Sequence, residues 1–381
     1  MHEDQVIGIL QENAIGLVAS IPCDKTKDLH FLLPDHFLHI GLTREEDGVG
    51  ICAGAFLAGG RPLMAIQSSG LGNMINALMS LSKTYDLPLP ILASWRGVEN
   101  EKIPAQVPFN SLIPEILDAT GIPYTIIRDS SEFEKIENVI VDAFNHSRPH
   151  VALVLPGAWD GPSSCGNTTK FPSRKREIDL FYQRKIREPE MTRSDAIRII
   201  ARHLEKQAVV SNIGIPGKEL YAACDRPLNF YMLGSYTQAS PIGLGLAAIT
   251  QRDVWVIDGD GSILGTGILP VIGTEQPENL TIFCLDNGAF GSTGNQPTPA
   301  WVGTDLELIA IAAGFRSTTK AGTPEELERA ITSLGTGPNF VHVILRPGNA
   351  EVKNIPLTPH GIRDRFMAAV WQDPVSSGIL R

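Results

Sequence analysis

The chain has 381 residues, 43% of them hydrophobic and 19% charged, which is enough apolar material for two ordinary cores and excludes a disordered chain. A formal net charge of −10 without a long basic stripe argues against nucleic acid as the main partner. Five scattered cysteines, with no metal-binding or redox spacing, exclude a disulfide framework and a zinc module and point to a reducing compartment.

The opening Met1-His2-Glu3-Asp4-Gln5 lacks the charged and apolar regions of a secretory signal, and no apolar stretch reaches the length of a membrane span. A cytoplasmic protein is expected. Short apolar runs then alternate with helical patterns, at 16–21, 37–42, 62–67, 88–94, 124–127 and 151–155 in the first half and 208–211, 229–232, 254–257, 280–285 and 340–345 in the second. Such alternation predicts an α/β protein with two doubly wound, parallel-sheet domains. The stretch 156–190 is rich in Gly, Pro, Ser, Lys and Arg and reads as a connection. The expected division is therefore a domain at 1–160, a linker at 161–190 and a domain at 191–381. The basic cluster Ser173-Arg174-Lys175-Arg176 reads as solvated.

The second half carries the most chemical signal. The apolar run Val254-Trp255-Val256-Ile257 fits a buried strand, and Asp258-Gly259-Asp260-Gly261-Ser262 follows at its carboxyl end. A helix and a strand later comes Leu285-Asp286-Asn287-Gly288. Gly259 and Gly261 allow a phosphate to approach the backbone, and Asp260 with the Asn287 amide oxygen offers the hard ligands that Mg2+ prefers. Ligands at neighbouring strand ends are where open α/β sheets bind them. Alone, an Asp between two glycines is also ordinary turn chemistry.

Paired in this way, the two segments resemble the cofactor motif of thiamine diphosphate enzymes. The resemblance implies a pyrimidine-binding domain followed by a diphosphate-binding domain, with thiamine diphosphate and Mg2+ as cofactors. It assigns Asp260, Asn287 and the main-chain carbonyl of Ala289 to the metal. It also assigns Gly259, Gly261 and Ser262 to the diphosphate, together with Ser211, Asn212 and Gly214 after the strand at 208–211. Gly234 would meet the cofactor's aminopyrimidine. Tyr236 and Thr237 stand where relatives carry Met-Gly, so Tyr236 would replace the apolar wedge beneath the bent cofactor; packing as plain core is the competing reading. In the first half, counting back nine residues from Gly54 selects Glu45 as the glutamate that hydrogen-bonds the pyrimidine ring nitrogen. An acid-rich helix start would also explain Glu45. Pro22-Cys23-Asp24 matches the Pro-Gly-Asp of pyruvate decarboxylase in position, which makes Asp24 a candidate catalytic acid or base, with loop capping as its alternative.

Residues 67–78, Ser94-Trp95-Arg96-Gly97, Ile103-Pro104-Ala105-Gln106 and Gly291-Ser292-Thr293-Gly294-Asn295-Gln296 look like sulfopyruvate decarboxylase and the related phosphonopyruvate decarboxylase. The chain is similar to the two subunits of the former fused into one. The implied reaction is non-oxidative decarboxylation of 3-sulfopyruvate to sulfoacetaldehyde and CO2, within coenzyme M biosynthesis. Phosphonopyruvate is the alternative substrate, while an acetolactate synthase-like carboligase and a silent cofactor binder are further alternatives. A sulfonate needs cationic or amide donors; Lys25 and Arg96 are the candidates at strand ends, each of which could equally be solvated, and Gln106 and Gln296 are candidates for neutral hydrogen bonds. The family pattern implies a homodimer or homotetramer with active sites at subunit contacts, and no membrane or nucleic-acid partner.

Overall fold

The structure, a computed structural model, describes residues 2–99, 101–160, 182 and 188–372. Most of the expected linker, its basic cluster and Cys165 lie outside the described residues. The chain divides into two compact units, each built on a six-stranded parallel sheet.

In the first unit β1 (Leu17–Ser20), β2 (Leu38–Gly41), β3 (Pro62–Gln67), β4 (Leu89–Ser94), β5 (Tyr124–Ile127) and β6 (Pro149–Val154) run in the order β2-β1-β3-β4-β6-β5. Alternation sorts the side chains. Val18, Leu63, Ala65, Leu92, Ala152 and Val154 join one core with Val6, Leu10, Leu29, Leu33, Ile136 and Ile140 from helices His2–Glu12, Lys27–His36 and Lys135–Asn145. Their strand neighbours Leu17, Ala19, Met64, Ile66, Ile91 and Leu153 are buried as well, so both faces are covered, as parallel sheets require. Helix Glu45–Leu57 lies close against this sheet at Gly48, where a Cβ would come within 2.6 Å of Met64 Cε and Leu42 Cδ1.

In the second unit β7 (Ala208–Ser211), β8 (Asn229–Tyr231), β9 (Val254–Gly259) and β10 (Leu280–Asp286) precede a small antiparallel hairpin of β11 (Ala289–Phe290) and β12 (Gln296–Pro297). Then come β13 (Ser317–Ala321) and β14 (Asn339–Ile344), and the main sheet runs β13-β14-β10-β9-β7-β8. The apolar pattern finds every strand of this sheet except β13. Ser317-Thr318-Thr319-Lys320-Ala321 is an edge strand whose first three residues remain partly exposed, so it carries no apolar run to detect. No described helix is long and apolar enough to cross a membrane.

Strand order reverses between β1 and β3 in one sheet and between β7 and β9 in the other. The carboxyl ends beside these reversals are where loops can splay apart to admit a ligand.

Candidate active site

Asp260 opens the helix Asp260–Leu264 directly after β9, and Asn287 follows β10. Register brings them together: Leu285 of β10 pairs with Gly259 of β9, so both strands end at the same level. Asp260 is buried and its hydroxyl partner is Thr298, which follows β12. Burial, with the nearby charge of Asp286 second, pushes the Asp260 carboxyl up to about 7.

The Asn287 amide presents one terminal atom to Asp260 Oδ1 at 3.2 Å and to the Ala289 carbonyl oxygen at 2.9 Å. As nitrogen this atom would donate to both. The Ala289 N–H, however, points at the same atom from 3.3 Å, which favours oxygen. With oxygen in that place, three oxygens from Asp260, Asn287 and Ala289 converge, an arrangement that a bound cation would make favourable. Adjacent ligands of an octahedral Mg2+ at 2.0–2.1 Å stand about 2.9 Å apart, close to the spacing here.

Beside this cluster a cleft of about 190 Å3 is lined by Asn212, Tyr236, Gly259, Gly261, Ser262 and Arg193, with Ala289 to Thr293 on its far wall. Two glycines set its shape. A Cβ on Gly261 would stand 2.6 Å from the Phe290 ring, and one on Gly214, at φ +77°, would stand 2.4 Å from Ser292 Oγ. Asn212 approaches Gly259 and accepts the N–H of Ile213 at 2.7 Å. Ser211 is instead fully buried, with its hydroxyl against Gly217 and no hydrogen-bond partner among the described residues, and neither Gly214 nor Gly234 lines the cleft itself.

Tyr236 is 42% exposed and lines the cleft, so the plain-core reading does not hold. Its hydroxyl donates to the Gly261 carbonyl. The residues on either side, Ser235 at φ +68° and Thr237 at φ +73°, occupy the left-handed region. That conformation explains why a glycine suits position 237 and why a β-branched threonine is costly there.

Some site residues carry no sequence signal. Arg193 opens helix Arg193–Arg202, is buried, and lies in the cleft wall with its Nε donating to Glu219 at 2.8 Å and its Nη2 to Asn349 at 2.8 Å. Thr298 reaches Asp260 only because the β11–β12 hairpin folds back. Neither spacing nor composition marks them.

In the first unit Glu45 is the first residue of its helix, at the end of β2. Its Oε2 accepts from Asn73 Nδ2 at 2.9 Å, and its carboxyl lies flat on Gly70, where a Cβ would stand 2.6 Å from Oε1. Glu46 is buried and paired with Arg44 at 2.9 Å, a structural role distinct from that of its neighbour. Asp24 sits exposed in the turn after β1 and makes no side-chain hydrogen bond among the described residues. Lys25 has a loose contact with Asp160 at 3.5 Å.

Arg96, after β4, is buried rather than solvated. Its Nε and Nη2 donate to Glu101 at 2.7 and 3.0 Å, which holds the Glu101 carboxyl down to about 2, while its backbone N–H donates to Ser68 Oγ at 3.0 Å. Gln106 accepts from Gln67 Nε2 at 3.2 Å, and the Cys23 thiol donates to Gln67 Oε1 at 3.5 Å. Arg96 with Glu101, Gln67, Gln106 and Cys23 thus forms a polar group along the carboxyl ends of β1, β3 and β4. In the second unit Gln296 is exposed and accepts from Thr293 Oγ1 at 3.0 Å.

Comparison with known proteins agrees with this architecture. The family model for the thiamine pyrophosphate enzyme C-terminal TPP binding domain matches residues 218–343. The chain is 47% identical over 372 residues to a sulfopyruvate decarboxylase of Methanosarcina acetivorans, covering 96% of each. A phosphonopyruvate decarboxylase of Streptomyces viridochromogenes is 32% identical, over 95% of this chain and 93% of that protein. Separate halves also match: the beta subunit of the Methanocaldococcus jannaschii sulfopyruvate decarboxylase is 44% identical over 47% of this chain and 96% of the subunit, and its alpha subunit is 41% identical over 31% and 71%. A solved structure from Mycobacterium smegmatis, assigned to the thiamin diphosphate-dependent enzymes, superposes with a TM-score of 0.70 at 13% identity over 91% of this chain and all of that one, a likeness of fold. The chain belongs to the sulfopyruvate decarboxylase family of thiamine diphosphate-dependent enzymes, with counterparts of both subunits joined in one polypeptide.

Proposed function

We propose that this chain decarboxylates 3-sulfopyruvate to sulfoacetaldehyde and CO2, as a step in coenzyme M formation, with thiamine diphosphate and Mg2+ as cofactors. The observation that carries the reading is the 47% identity to a sulfopyruvate decarboxylase along nearly the whole chain, against 32% to a phosphonopyruvate decarboxylase. The convergence of the Asp260, Asn287 and Ala289 oxygens at spacings suited to Mg2+ supports the metal. The first unit would be the pyrimidine-binding domain and the second the diphosphate-binding domain.

Thiamine diphosphate, when bound, supplies the nucleophile and the electron sink that a 2-oxo acid needs to lose CO2. The protein's task is binding, orientation and proton handling. Asp260, Asn287 and Ala289 would hold the cation, with the backbone at Gly259 and Gly261, the Ser262 hydroxyl and Asn212 facing the diphosphate, and Ser211, Gly214 and Gly234 shaping the loops around it. Tyr236 would serve as the wedge. Glu45 would hold a proton at the pyrimidine ring nitrogen, and Asp24, with no side-chain hydrogen bond among the described residues, would deliver one to the product carbon. Arg96, oriented by Glu101, is the strongest candidate for reading the sulfonate, with Gln106, Lys25 and Gln296 as further donors.

The family's pattern supports a cytoplasmic homodimer or homotetramer in which different copies complete each site. Trp301 and Val302, 61% and 86% exposed, offer apolar surface for such a contact. The test is CO2 release from 3-sulfopyruvate and phosphonopyruvate, with and without thiamine diphosphate and Mg2+. Faster turnover of the sulfonate, dependent on both cofactors and reduced at least about 100-fold in Glu45→Gln, is expected. Preference for the phosphonate would reverse the substrate assignment, and acceptor-dependent carbon–carbon bond formation would make the protein a carboligase. Cofactor binding without turnover of either acid would make it a silent binder.

A further inference from the structure

We propose that His342 is a positioning residue of the cation site, acting through Asp286 to hold the turn that brings the Asn287 and Ala289 oxygens beside Asp260. The inference rests on the magnesium reading above. His342 lies in β14, buried, in register with Cys284 of β10. Side chains at 284 and 286 share a face of the sheet, so His342 reaches diagonally to Asp286, and its Nε2 donates to Oδ2 at 2.8 Å. The other carboxylate oxygen accepts the Gly288 N–H at 2.9 Å, at a residue with φ +63°. One carboxylate therefore ties the end of β10 to the turn beyond it. Asn287 and Ala289, on either side of Gly288, supply two of the three converging oxygens.

Without His342 the arrangement would be expensive. Asp286 is itself buried and its charge already acts on Asp260, so a carboxylate there with only one backbone N–H would leave a second unneutralised charge in the same crevice. The backbone bond from Leu345 N–H to the Asp286 carbonyl, at 2.8 Å, fixes the strand end but not the turn. On its far side the imidazole Nδ1 is buried and makes no hydrogen bond among the described residues. It lies 3.7 Å from Asp305 Oδ1, and Asp305 is anchored by Lys320 at 2.6 Å and the Tyr182 hydroxyl at 2.8 Å. The Nε2 bond sets the Asp286 carboxylate, and the carboxylate sets the turn.

The test is Mn2+ binding by electron paramagnetic resonance in the presence of thiamine diphosphate, with near-ultraviolet circular dichroism to verify folding. His342→Leu, which fills the space without a donor, is expected to weaken Mn2+ binding about 10- to 100-fold. His342→Gln, which keeps a donor near Nε2, should recover most of it. At saturating metal kcat should stay near the parent value in both, so the defect lies in the metal requirement. If the leucine variant does not fold, His342→Asn, polar but too short to reach Asp286, is expected to show the same loss. Parent-like Mn2+ affinity in a folded leucine or asparagine variant would overturn the proposal and leave His342 a packing residue. A parent protein that binds no Mn2+ would sink the magnesium reading itself, a result distinct from parent-like affinity in the variants.

Discussion

His30 and His39 share one hydroxyl: Ser20 Oγ lies 3.1 Å from His30 Nδ1 and 2.8 Å from His39 Nε2. Burial, and then the neighbouring His39, lowers His30 to about 4, while His39 is lowered by burial alone. An unfolded histidine titrates near 6.5, so between these values the unfolded chain binds more protons than the folded one. The stability that neutral His30 allows is complete above about 6.5 and is lost as pH falls to about 4, by an amount on the order of 3 kcal/mol. Urea unfolding of the parent and of His30→Gln at pH 7.5 and 4.5 checks this, with a shallower acid loss expected in the variant. Equal acid loss in both would refute it. The Arg96–Glu101 pair has the same sign in a more acidic window, since a depressed carboxyl keeps its contribution above its unfolded value near 4.5 and loses it as pH falls toward 2. If Arg96 reads the sulfonate, Arg96→Lys keeps the charge but not the fork, and kcat/KM for sulfopyruvate should fall about 10- to 100-fold with little change for pyruvate. An equal fall for both substrates would assign Arg96 to structure alone.

Loops carry the strain of this fold more than strands do. Ser235-Tyr236-Thr237 spends two left-handed residues to turn the tyrosine into the cleft, where its hydroxyl meets the Gly261 carbonyl. A threonine-to-glycine change ordinarily costs up to about 1 kcal/mol in chain entropy. At φ +73° the relief of strain, on the order of 1–2 kcal/mol, should offset that cost, so Thr237→Gly is expected to melt at or above the parent temperature. A clear drop would show that the buried threonine's contacts, including the one its hydroxyl makes to the Tyr236 carbonyl, outweigh the strain. The strands were readable wherever both faces are buried, as in β9 and β10. β13 was not, because an edge strand needs backbone pairing to β14 and few apolar side chains.

On the scale of the whole molecule, two parallel sheets of equal strand number each carry candidate site residues at strand carboxyl ends at or next to the reversal of strand order. The proposed assembly predicts that the protein sediments as a dimer or tetramer under assay conditions. An active monomer in analytical ultracentrifugation would contradict it. Within each unit the residues that the sequence marks and those it does not are interleaved. Asp260 and Asn287 stand out by residue type beside glycines, whereas Glu45 is picked out by the family resemblance, nine residues before Gly54, its helix start being the competing explanation. Arg193, Thr298 and His342 are ordinary residues in ordinary local settings, and their partners lie 26, 38 and 56 positions away.

From the sequence alone follow the α/β class, eleven of the twelve main-sheet strands and the chemical character of the loops at Asp260 and Asn287, because periodicity, glycine placement and oxygen-bearing side chains are properties of short segments. Only the tertiary structure decided that Leu285 pairs with Gly259, that Tyr236 faces the cleft, that Arg96 is buried against Glu101 and that His342 stands behind Asp286. Those outcomes depend on strand register and loop closure between distant positions. Such pairings are settled by the packing of the whole sheet, which no single segment encodes.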